Sequence, residues 1–255
     1  MKRRARVALA LALLAASAAG AIAQGYEYEE PDPKNNVAYD GRFTFARIKY
    51  HYQPRGFTQE GLPDTKWNHD YPRAEVNFTR ILEELTTLRP YTGGSNIFTL
   101  DDPELARYPI AYMAEPGFWT LTEPEAEGLR AYLLKGGFII FDDFLGAAHW
   151  MNFAEQMRRV LPDARLVPLD ASHPIFDAFY RIESLSFRSP YGFTQPLFYG
   201  IYEDNDPTRR LLAIANFNND ISEYWEFSGT GLYPVDLSNE AYKLGINYVI
   251  YGMTR

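Results

Sequence analysis

Apolar and polar positions along the chain switch repeatedly between a period near two and a period near 3.6. From Arg42 to Tyr52, Phe43, Phe45, Ile48, Tyr50 and Tyr52 mix with Arg42, Thr44, Arg47, Lys49 and His51. This predicts a first strand with one slip of phase near Ala46-Arg47. A long Pro- and Gly-containing loop, Gln53 to Asp70, follows. Val76, Ile81, Leu82 and Leu85 then recur at helical spacing to about Leu88, with Asp70 placed to cap the helix and Pro72 in its first turn. Ile97 to Leu100 and Pro109 to Ala114 read as short strands, with a helical turn opened between them by Asp101-Asp102-Pro103. Thr122 and Glu125 form a capping box for a helix that turns Ala126, Leu129, Tyr132 and Leu133 inward and stops at Gly136. Phe138-Ile139-Ile140-Phe141 is an unbroken apolar run, as in a strand covered on both faces, and it leaves on Asp142-Asp143.

Trp150 to Leu161 reads as a helix and Arg165 to Leu169 as a strand, and His173-Pro174-Ile175-Phe176 opens another helix. Residues 182–196 are irregular. Leu197 to Tyr202 and Leu211 to Asn216 flank a turn as a hairpin, Asn216 to Asp220 is a polar turn, and Asn239 to Tyr251 is a closing helix in which Asn247 turns inward to bind backbone. Strands alternate with helices from 42 to 181, which implies an α/β three-layer sandwich with a mostly parallel sheet; the late hairpin extends that sheet or crosses one end of it.

The start of the chain has a different character. Lys2, Arg3, Arg4 and Arg6 precede an apolar run from Val7 to Ala19 and a small-x-small site, Ala21-Ile22-Ala23. Residues 1–23 therefore read as a signal peptide, and the expected location is periplasmic or secreted. The run falls short of the roughly 20 apolar residues of a spanning helix, which makes an uncleaved anchor the lesser alternative. Residues 24–40 read as a flexible acidic leader, and 41–255 as a single domain. Cleavage would lower the basic count from 25 to 21 against 33 acids, a charge of −12, which disfavours nucleic acid and anionic membrane surfaces as partners. The chain has no cysteine, hence no disulfide, no thiolate nucleophile and no thiolate metal site. The core must come from ordinary packing, which 46% hydrophobic and 16% aromatic residues can supply.

Several segments together resemble a known family. Trp67…Asp70-Tyr71-Pro72-Arg73-Ala74-Glu75, Tyr108-Pro109…Tyr112-Met113…Glu115-Pro116-Gly117, Leu121-Thr122…Glu125, Leu129-Arg130-Ala131-Tyr132-Leu133…Gly136-Gly137-Phe138, Asp142-Asp143 and Leu244-Gly245-Ile246-Asn247…Tyr251 are similar in order and spacing to the bacterial domain-of-unknown-function 4159 family, over roughly residues 42 to 252. The resemblance implies a flavodoxin-like sandwich of the class I glutamine amidotransferase type. It also implies an exported or membrane-linked setting, with MoxR-type ATPases and von Willebrand A-domain membrane proteins as partners. It implies no activity. Amidotransferases of that fold use a Cys on a strand-to-helix elbow; without any Cys, a glutaminase thiol mechanism is excluded here.

Candidate chemistry gathers where strands end, because ligands of open α/β sheets bind beyond the carboxyl ends of the strands. Asp142 and Asp143 lead, as carboxylates suited to a hard cation or to sugar hydroxyls. His69, Asp70 and Arg73 open the first helix; His69 suits a base or ligand, and Arg73 a carboxylate or phosphate clamp. Glu115 ends the third strand, beside Phe118 and Trp119, which offer stacking surfaces. His149 suits the rim. Asn216, Asn218, Asn219 and Asp220 could ligate a cation, although such runs usually make a turn. No cofactor is expected, a divalent metal being the one exception considered. The sequence favours binding of a polar ligand or envelope partner protein at the carboxyl edge of the sheet. The alternative is a carboxylate- or metal-dependent hydrolase of envelope carbohydrate.

Overall fold

A computed structural model describes residues 33–52, 64–186, 188–192 and 194–254. The signal-peptide reading, most of the leader and the first part of the long loop, 53–63, lie outside the described residues. The strands are β1 (Phe45–Ile48), β2 (His51–Tyr52), β3 (Ser95–Phe98), β4 (Ile110–Ala114), β5 (Trp119–Thr120), β6 (Phe138–Phe144), β7 (Val167–Leu169), β8 (Leu197–Tyr202) and β9 (Leu211–Phe217). The helices are α1 (Arg73–Leu85), α2 (Glu123–Leu134), α3 (Gly146–Val160), α4 (Ile221–Glu226) and α5 (Val235–Thr254).

Seven strands form one sheet in the order β3-β1-β4-β6-β9-β8-β7. β3, β1, β4, β6 and β9 pair in parallel, while β8 runs antiparallel to both β9 and β7. The α/β sandwich with a mostly parallel sheet, a late hairpin and a C-terminal helix is thus present, and the hairpin extends the sheet. Counted in chain order, the five parallel strands run 2-1-3-4-5, and the winding reverses between β1 and β4. That reversal opens a crevice at the carboxyl ends of these two strands.

Side chains of successive strand residues enter two separate cores. Ile110, Tyr112, Phe138 and Ile140 pack with α1, α4 and α5, whereas Ala111, Met113, Ile139 and Phe141 pack with α2 and α3. Helices on both faces explain why β6 reads as an unbroken apolar run. The Thr122–Glu125 capping box forms as expected, and Asn247 holds the backbone of Phe179 and Tyr180. Asn36 and Val37, in the leader, bond to Asn96 and Ile97 and cover the outer edge of β3.

Three local expectations change. The first strand divides where its phase slips: β1 stays in the main sheet, and β2 turns away to pair with β5. Asp70 does not cap α1; its backbone is left-handed (φ 65°), and the helix starts at Arg73. Asp220 ends the polar turn by capping a helix, α4, that periodicity did not predict, because six residues are too few to show a helical period. Its signal in the sequence was Asp220 standing three residues before Glu223.

Candidate functional site

Three acidic residues come to the crevice from three different segments, each on left-handed backbone: Asp70 (φ 65°) beyond β1, Glu115 (φ 46°) just after β4, and Asp143 (φ 59°) near the end of β6. A side chain in this region costs about 1–2 kcal/mol relative to ordinary backbone, and such strain concentrates where a structure must aim particular groups. At Asp143 the β6–β9 register shifts between Phe141 and Phe144, which separates the directions taken by the two adjacent aspartates.

His69 joins these segments. Its Nε2 lies 2.8 Å from Asp64 Oδ1 and 3.6 Å from Glu115 Oε2, and its Nδ1 lies 3.5 Å from Asp143 Oδ2. Lys66 Nζ bridges Asp64 (2.5 Å) and Glu115 (3.3 Å) and sits over the Phe118 ring. Tyr191 Oη donates to Asp143 Oδ1. His149 packs edge-on against Phe118 and feels the charges of Asp143 and Lys66.

Asp142 occupies a different place from its neighbour. It is fully buried, and both its oxygens are taken: Oδ1 accepts from Asn216 Nδ2 (3.0 Å), and Oδ2 from Tyr112 Oη (2.9 Å) and the backbone N–H groups of Ile221 (2.9 Å) and Ser222 (3.2 Å). Asp142 therefore anchors the start of α4 to the central strand. Ser222 Oγ contacts Tyr112 Oη (2.6 Å), Asp70 Oδ2 (2.5 Å) and Asp220 Oδ1 (3.1 Å). Three oxygen–oxygen contacts thus link Tyr112 and Ser222 to three carboxyls and a fourth joins the hydroxyls to each other, yet the two hydroxyls supply only two hydrogens. Carboxyl protons must complete the set.

The electrostatics agree. Burial, reinforced by the charge of Asp143, pushes Asp70 and Asp220 well above the usual carboxylate range. Burial lifts Asp142 to about 7, against the bonds from Asn216 and Tyr112. Burial and then Asp143 lift Glu115 to about 8, against His69 and Lys66. For His69, burial acts downward, but the bond to Asp143 and the charges of Glu115 and Asp143 outweigh it, up to about 10. In all three groups with a value the folded pKa exceeds the unfolded one, so the native state holds extra protons. Their stabilisation is complete below about pH 4 and fades as pH rises: through about 7 for Asp142, 8 for Glu115 and 10 for His69. Thermal melts should therefore give a higher Tm at pH 5 than at pH 9; a Tm that rises over that interval would contradict this electrostatic picture.

Two sets of oxygen and nitrogen atoms in the crevice lie close enough to hold a cation, within 4.8 Å of one another: Asp64, His69 and Glu115, and Asp70, Asp143 and Asp220. The first set already contains the Lys66 ammonium. In the second, the strongest charges acting on Asp70 and Asp220 are those of other carboxylates, with the Arg47 guanidinium also within the reach of Asp70. A third set joins Asp70 to Glu223 and Glu226.

Of the residues singled out from sequence, His69, Asp70, Glu115 and Asp143 converge. Asp142 lies beneath them as an anchor. Arg73 is half exposed, bridges to Glu226 (3.3 Å) and lies over the Phe227 ring. Trp119 is buried against Phe141 and Phe153, which removes it as a stacking surface. His51 meets Glu125 of the capping box, and His173 caps the turn at Ile175. Sequence reasoning passed over Asp64, Lys66, Tyr112, Tyr191 and Ser222, which sit in loops or inside elements without any motif.

Beneath the crevice, Arg47 of β1 and Glu75 of α1 form an ion pair with both side chains fully buried. Arg47 Nη1 also donates to Trp67 O (2.9 Å), and its guanidinium lies over the Tyr112 ring. This pair ties the segment that carries Lys66, His69 and Asp70 to the sheet.

A family model described as Domain of unknown function (DUF4159) matches residues 44–253. No functionally curated protein matches the chain.

Proposed function

The chain belongs to the DUF4159 family, whose description assigns no reaction, and from the crevice geometry we propose that it is an exported cell-envelope domain that binds a polar, positively charged ligand or partner group at the carboxyl edge of its sheet. The observation that carries this reading is the convergence of Asp70, Glu115 and Asp143, all on left-handed backbone, at the point where the winding reverses. A domain with only stability to maintain gains nothing from gathering like charges there. Lys66 and His69 balance Asp64 and Asp143, while Asp70 and Asp220, held protonated by burial, would exchange their protons for an incoming cation. By family resemblance, the partners are a MoxR-type ATPase and von Willebrand A-type membrane proteins. Among the described residues no helix is long and apolar enough to cross a membrane.

The test is a thermal-shift panel of polyamines, lysine-containing peptides and divalent cations. A ligand at 100 times its Kd adds about 2.7 kcal/mol, several degrees in Tm. That shift should vanish in Asp143→Asn. If no cationic compound moves the Tm of the unaltered protein, the reading fails. Asp70→Asn adds an independent prediction. Asparagine keeps an acceptor for Ser222 and tolerates left-handed backbone, while removing the cost of protonating a buried carboxyl at neutral pH. The variant should melt about 2–4 °C higher, roughly 1 kcal/mol, while losing ligand. A lower Tm would show that Asp70 is structural.

One observation favours the second reading, a hydrolase of envelope carbohydrate. Glu115, lifted to about 8, keeps its proton at neutral pH close to Asp143 and His69. A proton donor beside a second carboxylate is the arrangement used in glycoside hydrolysis. Release of reducing ends from cell-wall glycan, lost in Glu115→Gln, would replace the binding reading with this one.

A further inference from the structure

The Lys66 ammonium sits on the Glu115 side of the crevice in the way a ligand would. Its Nζ lies 2.5 Å from Asp64 Oδ2, 3.3 Å from Glu115 Oε2 and 4.4 Å from the centre of the Phe118 ring. Two carboxyl groups and an aromatic face are a recognition set for a primary ammonium: the oxygens accept its N–H groups, and the ring attracts its charge. The lysine fits this set incompletely. Glu115 is only 9% exposed, yet its Oε2 makes no hydrogen bond, and His69 Nε2 also stands off at 3.6 Å. Burial and the charge of Asp143 keep Glu115 protonated at neutral pH in spite of Lys66, whereas a lysine placed for stability would hold its partner ionised. A buried acceptor without a donor is costly, and a better-placed N–H would recover that cost.

The lysine can leave without moving the chain. Its backbone belongs to the turn Lys66–Asn68, which the bond from Arg47 Nη1 to Trp67 O holds in place, so only side-chain torsions have to change. The flanking side chains of Asp64 and His69 are 21% and 36% exposed, so the place borders water.

We propose that Asp64, Glu115 and Phe118 form a primary-ammonium subsite, that Lys66 is its built-in occupant, and that a ligand bearing an alkylammonium group displaces Lys66 from it. The proposal rests on the cation-binding reading above and adds the head group and its competitor. Exchange of one ammonium for another keeps the carboxyl groups paired, and the freed lysine regains its rotamer freedom. A tethered competitor that fills the subsite about nine-tenths of the time raises the apparent Kd of the ligand about 10-fold.

The experiment uses the full chain with cadaverine and with Nα-acetyl-lysine methylamide, so that a free diamine and a protein side chain are compared; the tighter of the two names the source. Tetramethylammonium, a cation without N–H groups, is the control. Calorimetry measures binding, and acetylation of Lys66 by N-acetoxysuccinimide, read by mass spectrometry relative to the exposed Lys135, reports whether the lysine has left. Saturation with the ammonium ligand should raise Lys66 acetylation severalfold, and tetramethylammonium should not. Lys66→Met should bind the same ligand about 10-fold more tightly than the unaltered protein. The variant leaves Asp64 bonded to His69 (2.8 Å), so the crevice keeps its shape. Ligand binding that leaves Lys66 acetylation unchanged, or lowers it, overturns the proposal while the cation-binding reading stands. So does binding by Lys66→Met that is no tighter, or tetramethylammonium binding as tightly as cadaverine. Absence of binding by every cationic compound removes both.

Discussion

Glu75→Ala is expected to destabilise the protein by about 3–5 kcal/mol, because it leaves the Arg47 guanidinium buried with no countercharge. Both side chains are fully buried, so water cannot replace the lost carboxylate. Arg47 Nη2 and Glu75 Oε2 already lack hydrogen-bond partners, which makes the pair costly to maintain as well as costly to break. The double change Arg47→Met with Glu75→Leu should therefore return most of the loss, since apolar residues of similar volume need no partner. Urea unfolding of Glu75→Ala and of the double variant measures this directly. A loss under about 1 kcal/mol for Glu75→Ala would mean that the pair is hydrated in solution. The double variant has a second use. If it refolds with normal stability but shows a weakened thermal response to crevice ligands, the ion pair positions His69 and Asp70 rather than simply holding α1 in place.

Asp142→Ala should cost a similar amount, about 3–5 kcal/mol, although the donors it strands are neutral groups rather than a buried cation. The N–H groups of Ile221 and Ser222, the Asn216 amide and the Tyr112 hydroxyl all point at its oxygens. Unsatisfied buried donors cost about 1–3 kcal/mol each, and partial collapse of the site recovers some of that. Asp142→Asn keeps one acceptor oxygen and should lose about half as much. Chemical denaturation distinguishes this anchor role from a ligand-contact role. If Asp142→Ala melts like the unaltered protein and loses only ligand binding, Asp142 faces the crevice after all.

Asp142 and Asp143 show how far sequence could reach. Both stood at the end of an unbroken apolar run, and position alone marked both as candidates. A shift of register at Phe141–Phe144 sends them to different tasks, and no feature of the dipeptide announces such a shift. His69, Asp70 and Glu115 were legible for the same positional reason, each following a strand in an alternating pattern. Arg73 was legible as a candidate but lies at the outer side, paired with Glu226 of a helix that periodicity had missed. Lys66 and Tyr191 had no sequence signal: one ends a long loop and the other lies in an irregular segment, and only distance brings them to Glu115 and Asp143.

The sequence by itself determined the class of fold, because alternating periods of two and 3.6, a capping box and an apolar central strand are local properties, each set by a few neighbouring residues. It also ruled out thiol chemistry, since composition needs no geometry. Only the tertiary structure decided which carboxylates share a crevice and which carry protons. Both depend on separations of a few ångströms between residues up to 152 positions apart, such as Ser222 and Asp70, and on burial from water, which no local pattern encodes.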